Sequence, residues 1–274
     1  MSIPRRCNER DRAKVLEYIA KDPEVTTFIT GDIEQFGMSN PVSVFACVND
    51  DGSWDSIVLK FYANFVCYSQ NQLFDALSMA QLIKEEANEM FYGSINGPYE
   101  VISALAPFFD DLSITSSNLA RLTALATDKI APAPDGTIIR PLTAEDYDDL
   151  FALLGSTDEY HELYRDARSV AMAKQQKAAD AAHGCLTYGA FYEGKLVSTA
   201  STSANNSQSS MIVGVCTRKD MRNYGLATAV VAQLCADELA AGKKFLTLFY
   251  DNPTAGHIYK RMGFEEVAQY AMLR

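Results

Sequence analysis

No apolar run in this 274-residue chain approaches the ~20 residues that a membrane-crossing helix needs. The basic opening, residues 1–14, has no apolar stretch behind it and does not read as a secretory signal. A cytoplasmic protein is therefore expected. Histidine is scarce, at three residues, and the six cysteines (Cys7, Cys47, Cys67, Cys185, Cys216, Cys235) include no Cys-x-x-Cys pair. Metal-ligand spacing is thus missing, and in a reducing compartment these thiols stay free and act as small hydrophobes. Positive charge is not in excess either. The net charge is −11, with 10 Lys and Arg against 19 Asp and Glu in residues 1–136 and 14 against 16 in residues 137–274. Such a surface repels nucleic-acid phosphate and anionic membranes, so neither is expected as a partner. What remains is ordinary globular material, 48% apolar and 22% charged, long enough for one large or two ordinary domains.

Thr127 to Thr137, with prolines at 132 and 134 and a glycine at 136, is the best candidate for a linker. Two domains follow from it, residues 1–130 and 137–274. Beyond it, residues 138–154 read as a strand and then a helix capped by Thr143, with acidic residues in its first turn. Residues 160–183 read as a helix, and 185–203 as a hairpin turning at Glu193-Gly194-Lys195. Ser209 to Thr217 alternates as a strand. Leu226, Val230, Val231, Leu234 and Cys235 mark a helix that stops at Gly242. Phe245 to Tyr250 is a buried strand, Thr254 to Met262 a helix, and Phe264 to Leu273 a closing strand. In the first half, strands are expected at 42–48, 56–62 and 65–68, then a helix over 73–90. A strand over 91–95, a turn at Asn96-Gly97-Pro98 and another helix follow. Strands, long helix, strand, short helix is the order of both halves.

The most informative segment runs Val215-Cys216-Thr217 into a turn, Arg222-Asn223-Tyr224-Gly225, and then into the helix beginning Leu226-Ala227-Thr228. A helix N-terminus leaves backbone N–H groups unpaired at the positive end of the macrodipole, which suits phosphate. Gly225 lets the backbone come close to such a ligand. Downstream, Asn252 stands at a helix entry and Tyr259 on the helix itself, a side chain able to give up a proton.

This pattern resembles the GCN5-related N-acetyltransferases (GNATs), whose signature is Arg or Gln, two residues, Gly, one residue, then Gly or Ala. Arg222, Gly225 and Ala227 match it. Val215 and Thr217 match the family's Val-x-Thr, and Asn252, Ala255, Tyr259 and Gly263-Phe264 match its second motif. The resemblance covers residues 138–274, about half of the chain. It implies a mixed α/β fold, a mostly antiparallel sheet flanked by helices, and acetyl-CoA as acyl donor to an amine. It further implies pantetheine along Val215, Cys216 and Thr217, and the pyrophosphate on the backbone of Asn223, Tyr224, Gly225, Leu226, Ala227 and Thr228. Arg222 would organise that turn or pair with phosphate. Asn252 would cap its helix or hydrogen-bond the pantetheine arm, and Tyr259 would protonate the leaving thiolate.

No residue stands out as the general base. Asp158, Glu159, His161, Glu162 and Glu193 are the candidates, while His257 reads as surface. Cys216 lacks a partner histidine, so direct transfer is preferred to an acyl-enzyme. The first half is expected to be a second, degenerate unit of the same kind that has lost its phosphate turn. It would shape the acceptor cleft or a homodimer contact and should not bind CoA. The alternatives are an acyltransferase using another acyl-CoA and a non-catalytic CoA-binding sensor.

Overall fold

Apolar residues at alternate positions of adjacent strands require cover on both faces of a sheet, and helices supply it in each of two units. A computed structural model of the protein describes residues 2–71, 73–87, 92–130 and 132–274. The first unit comprises Met1–Leu119 with Glu266–Arg274, and the second Ala120–Glu265.

In chain order the first unit holds β1 (Ile3–Arg6), α1 (Arg12–Ile19), α2 (Thr27–Phe36), β2 (Val42–Val48), β3 (Trp54–Phe61) and β4 (Asn64–Tyr68). Then come α3 (Ala76–Glu86), β5 (Ser94–Pro98) and α4 (Tyr99–Leu105), and β6 (Ile114–Leu122) crosses into the second unit. That unit holds β7 (Ile138–Pro141), α5 (Tyr147–Gly155), α6 (Ala167–Ala182), β8 (Thr187–Tyr192), β9 (Lys195–Ser203) and β10 (Ser209–Thr217). It continues through α7 (Leu226–Ala240), β11 (Phe245–Tyr250) and α8 (Pro253–Met262), and the chain returns to the first unit in β12 (Glu265–Leu273).

In the first unit the strand order is β1-β2-β3-β4-β5-β12, with β4 and β5 parallel and the other neighbouring pairs antiparallel. Period-2 alternation splits its core. Val58, Phe65 and Ile95 pack with Met79, Ile83 and Ile102 of α3 and α4. Ile57, Leu59 and Val66 face the other way, onto Val15, Ile19, Ile29 and Ile33 of α1 and α2. In the second unit the strand order is β7-β8-β9-β10-β11, antiparallel except for β10 beside β11. Leu226, Val230 and Leu234 of α7 pack on Val197, Ile212, Leu246 and Leu248. Leu150, Phe151 and Leu154 of α5 pack with Leu196 and Cys216 on the opposite face. Each such fully buried aliphatic side chain contributes about 1.5–3 kcal/mol.

The mixed, mostly antiparallel α/β fold is as expected, and β2, β10 and β11 have the expected limits. All six cysteines are free and buried. Among the described residues no helix is long and apolar enough to cross a membrane, and no His, Cys, Asp and Glu cluster could hold a metal.

Several expectations need correction. Asn96-Gly97-Pro98 is not a turn. It is the end of β5, paired with Met272, Ala271 and Tyr270 of β12. A Cβ on Gly97 would lie 2.3 Å from the Cys67 carbonyl oxygen, so close strand approach, not a reversal, accounts for that glycine. The strand over 264–273 does not close the second half; it pairs with β5 in the first unit. The helix expected from Tyr160 begins at Ala167, where the Asp166 carboxylate caps the N–H groups of Arg168 and Ser169, both at 2.9 Å. The stretch 127–137 lies within the second unit, and Ala131 is outside the described residues, as are Met90 and Phe91 at the expected helix and strand ends.

Candidate active site

The parallel register of β10 and β11 stops at Ile212 opposite Leu248. Beyond it β10 continues alone on that side to Thr217, held on its other side by β9 through Cys216↔Thr199 and Thr217↔Ser198. Ser198 Oγ donates to the Cys216 carbonyl at 2.9 Å and lies 2.8 Å from Thr217 Oγ1, which fixes the strand end.

The chain then turns through Asn223 (φ +69°) and Gly225 (φ +79°, ψ 2°) into α7. Gly225 is the N-cap, and its left-handed backbone is what a glycine permits cheaply. A Cβ there would meet nothing within 4 Å, so the position faces open space. The first helical bond is Ala229 N–H to the Gly225 carbonyl, 3.0 Å. Among the described residues, the amides of residues 223–228 find no protein acceptor. Six consecutive N–H groups at a helix mouth form a cradle for an anion.

That mouth opens into a cleft of about 760 Å³. Of the expected cofactor-contacting residues, Val215, Cys216, Thr217, Arg222, Asn223, Tyr224, Gly225, Leu226, Ala227 and Thr228 all line it, and so does Tyr259. Asn252 does not line it. Its side-chain oxygen accepts the Thr254 N–H at 2.9 Å and caps α8.

Arg222 binds protein groups on two sides. Nε donates to the Thr217 carbonyl at 3.2 Å, and Nη2 lies 3.2 and 3.3 Å from the Glu159 carboxylate oxygens. The turn is thereby tied to the end of β10. Of the base candidates, only Glu159 lines the cleft. Asp158 pairs with Lys219 at 2.7 Å, Glu162 with Arg165 at 3.1 Å, and His161 Nδ1 lies 2.9 Å from the Gly155 carbonyl. Glu193 is in the β8–β9 hairpin turn.

Tyr259 is 8% exposed, its ring 5.9 Å from Tyr250 and 5.7 Å from Phe264. Burial pushes its phenol up to about 12. The Cys216 thiol also rises to about 12, from burial first and the Glu159 charge second. Tyr160, on the segment between α5 and α6, reaches about 12 for the same leading reason, with Cys216 and Tyr259 adding to it. Lys129, His257 and Arg261 also line the cleft. The i,i+4 spacing of His257 and Arg261 puts both on one face of α8, a signal outweighed by reading His257 as surface; it is exposed and borders the cleft as well.

A parallel strand pair whose register ends at Ile212, a glycine-capped helix and a tyrosine-bearing helix surround this cleft. Residues 147–264 match the model of the acetyltransferase (GNAT) family, and the chain carries an acetyltransferase domain of that family. The enzyme is an acyltransferase. Similar solved structures include a GCN5-related N-acetyltransferase from Kribbella flavida (20% identity, 80% of this chain and 85% of that one, TM-score 0.57). Another comes from Sphaerobacter thermophilus (15% identity, 99% and 94%, TM-score 0.63). A tandem GNAT protein from the clavulanic acid biosynthesis pathway is 11% identical over 100% of this chain and 98% of that one, TM-score 0.62. At these identities the likeness concerns the fold. A search of curated proteins finds no match to this chain.

Proposed function

We propose that the protein is an acetyl-CoA-dependent N-acetyltransferase that passes the acetyl group directly to an amine. The observation that carries this reading is the run of unpaired amides over residues 223–228, opening into the same cleft as Tyr259. In this reading the diphosphate rests on those amides, and the pantetheine amides follow the β10 edge at Val215 and Thr217 as an added strand. The amine nitrogen, arriving as the free base, attacks the thioester carbonyl. The C–S bond breaks, the phenol of Tyr259 gives its proton to the sulfur, and the proton the nitrogen loses passes through water to reload the phenolate. A phenol at about 12 is a weak acid for an ordinary thiolate. Proton transfer as the C–S bond breaks avoids leaving a bare thiolate at a buried position.

The domain assignment is part of the proposal: a degenerate unit of the same kind in the first half and a catalytic one in the second, with the boundary moved to 119/120 and residues 266–274 returned to the first unit. Both units carry a parallel strand pair joined by a long helix, β4-α3-β5 and β10-α7-β11. Where α7 has Gly225, α3 has Asp75, whose carboxylate accepts the Ser78 N–H at 3.0 Å and the Ser2 N–H at 2.7 Å. That helix mouth already holds an anion of its own, which argues against CoA binding there. Calorimetric titration of the purified protein with CoA tests the donor assignment, with a single site of micromolar affinity expected. Absence of heat and of competition with acetyl-CoA would remove it. Thiol release from acetyl-CoA across a panel of amines then identifies the acceptor.

A further inference from the structure

The cations around the cleft fall into two groups. Those on the turn before α7 are each engaged: Arg218 with Asp220 at 2.6 Å, Lys219 with Asp158 at 2.7 Å and Arg222 with Glu159 at 3.2 Å. Lys129, His257 and Arg261 also line the cleft, yet among the described residues their side chains have no ion-pair or hydrogen-bond partner in the protein. They come from two segments that the backbone holds together. His257 and Arg261 stand one turn apart on α8, with about 5–6 Å between their Cβ atoms. The single helical turn Thr127–Lys129 is tied to the end of that helix. Ala126 N–H donates to the Met262 carbonyl at 3.0 Å, and Lys129 N–H to the Ala126 carbonyl at 3.0 Å. A Cβ on Gly263 would lie 2.8 Å from the Ala124 carbonyl oxygen, so the segments touch. Like charges gathered without a counter-ion repel one another. This chain, at net −11, has carboxylates to spare and places none against them. The arrangement suits an anion that a ligand brings.

We infer that Lys129, His257 and Arg261 form a subsite for a phosphate monoester, the 3′-phosphate on the donor's ribose, and that the enzyme thereby selects the 3′-phosphorylated donor over its dephospho form. This rests on the acyl-CoA reading above. In that reading the amides of residues 223–228 take the diphosphate and the thioester lies at Tyr259, so the monoester is the donor's one remaining anionic group. It carries close to two negative charges at neutral pH, and its three oxygens accept from several donors at once. Tyr259 is on the buried side of α8, while His257 and Arg261 are on its exposed side. The reacting end and the charged end of the donor thus fall at different depths of one cleft.

Calorimetry with CoA and with dephospho-CoA tests this. Wild type should bind CoA about ten-fold tighter or better, and added salt should narrow the gap. The double variant Lys129→Gln/Arg261→Gln should lose about ten-fold in CoA affinity and hold dephospho-CoA within about two-fold, so the gap closes. Both side chains are exposed, so the core is untouched. Lys260→Gln removes a neighbouring charge on α8 that does not line the cleft, and the gap should survive it. If Lys260→Gln closes the gap as far as the double variant does, the general field of the protein is the cause and the inference fails. It fails equally if wild type binds the two forms alike, or if the double variant weakens both to the same extent. In each of those cases CoA still binds and the acyl-CoA reading stands. Wild type that binds neither form removes that reading and this inference with it.

Discussion

Tyr250 packs closely against Gly256: a Cβ on that glycine would be 2.4 Å from Tyr250 Cε2 and 3.0 Å from Cζ. This contact seats α8 on the last residue of β11, and Tyr259 on the same helix packs against the same ring. In an exposed helix, Gly→Ala gains about 1 kcal/mol from propensity. Here the clash is with a buried ring, and overpacking costs about 1–3 kcal/mol. Gly256→Ala is expected to lower stability by about 1 kcal/mol net, read by urea denaturation. Turnover should fall further than stability, since the helix shift moves Tyr259. A stabilised variant with full activity would show that Tyr250 moves aside freely.

Gly225→Asp puts a carboxylate within a run of six amides that have no protein acceptor. The site faces open space, so folding should suffer only from the left-handed backbone, about 1–2 kcal/mol. CoA affinity is expected to drop at least ~100-fold, since the charge repels the diphosphate and the side chain fills its approach. Calorimetry and a melting curve measured together separate the two effects. Unchanged affinity would remove the cradle assignment.

Tyr259→Phe should lower kcat at least ~10-fold with CoA affinity unchanged. The phenol carries its proton at any pH below about 12, so its ionisation should not reduce the rate between pH 7 and 10. In that range the rate should instead rise as the amine loses its proton. A basic limb near pH 9 that vanishes in the variant would contradict the burial of this group.

Asp32, on α2, has its carboxyl pushed up to about 7 by burial. Its folded value exceeds the unfolded one near 3.8. The stability it contributes is therefore fully present below about pH 4 and is lost as pH rises through 7. Asp32→Asn should flatten that loss and raise stability at pH 8 by on the order of 2 kcal/mol, with little change at pH 4. Guanidinium unfolding at the two values decides it. Equal stability of the two proteins at pH 8 would show the carboxylate to be well solvated.

The second unit was legible because its signals are local. Alternation over 209–217, the 3- and 4-residue spacing after Leu226, and the Glu193-Gly194 hairpin depend on neighbours in the chain, and each appears where read. Arg222, Gly225 and Tyr259 were likewise carried by spacing. The first unit was harder. α1, α2 and β6 had no reading at all, because their apolar faces are short and find partners far away, as Val15 and Ile29 do against Ile57. Asn252, read either as a helix cap or as a contact to the pantetheine arm, serves as the cap. Lys129 escaped notice because nothing in its neighbourhood in the chain ties it to α8; the backbone bond from Ala126 N–H to the Met262 carbonyl, 3.0 Å, is what brings that stretch to the cleft.

The pairing of residues 270–273 with β5 has a consequence for synthesis. Ribosomes deliver residues 94–98 long before those that will lie beside them, so the earlier unit waits with one strand edge open while the whole later unit is made. A single cut between the halves would leave one fragment missing a strand and the other carrying a sticky surplus one. Coexpressed pieces should therefore find each other, whereas either piece alone should aggregate.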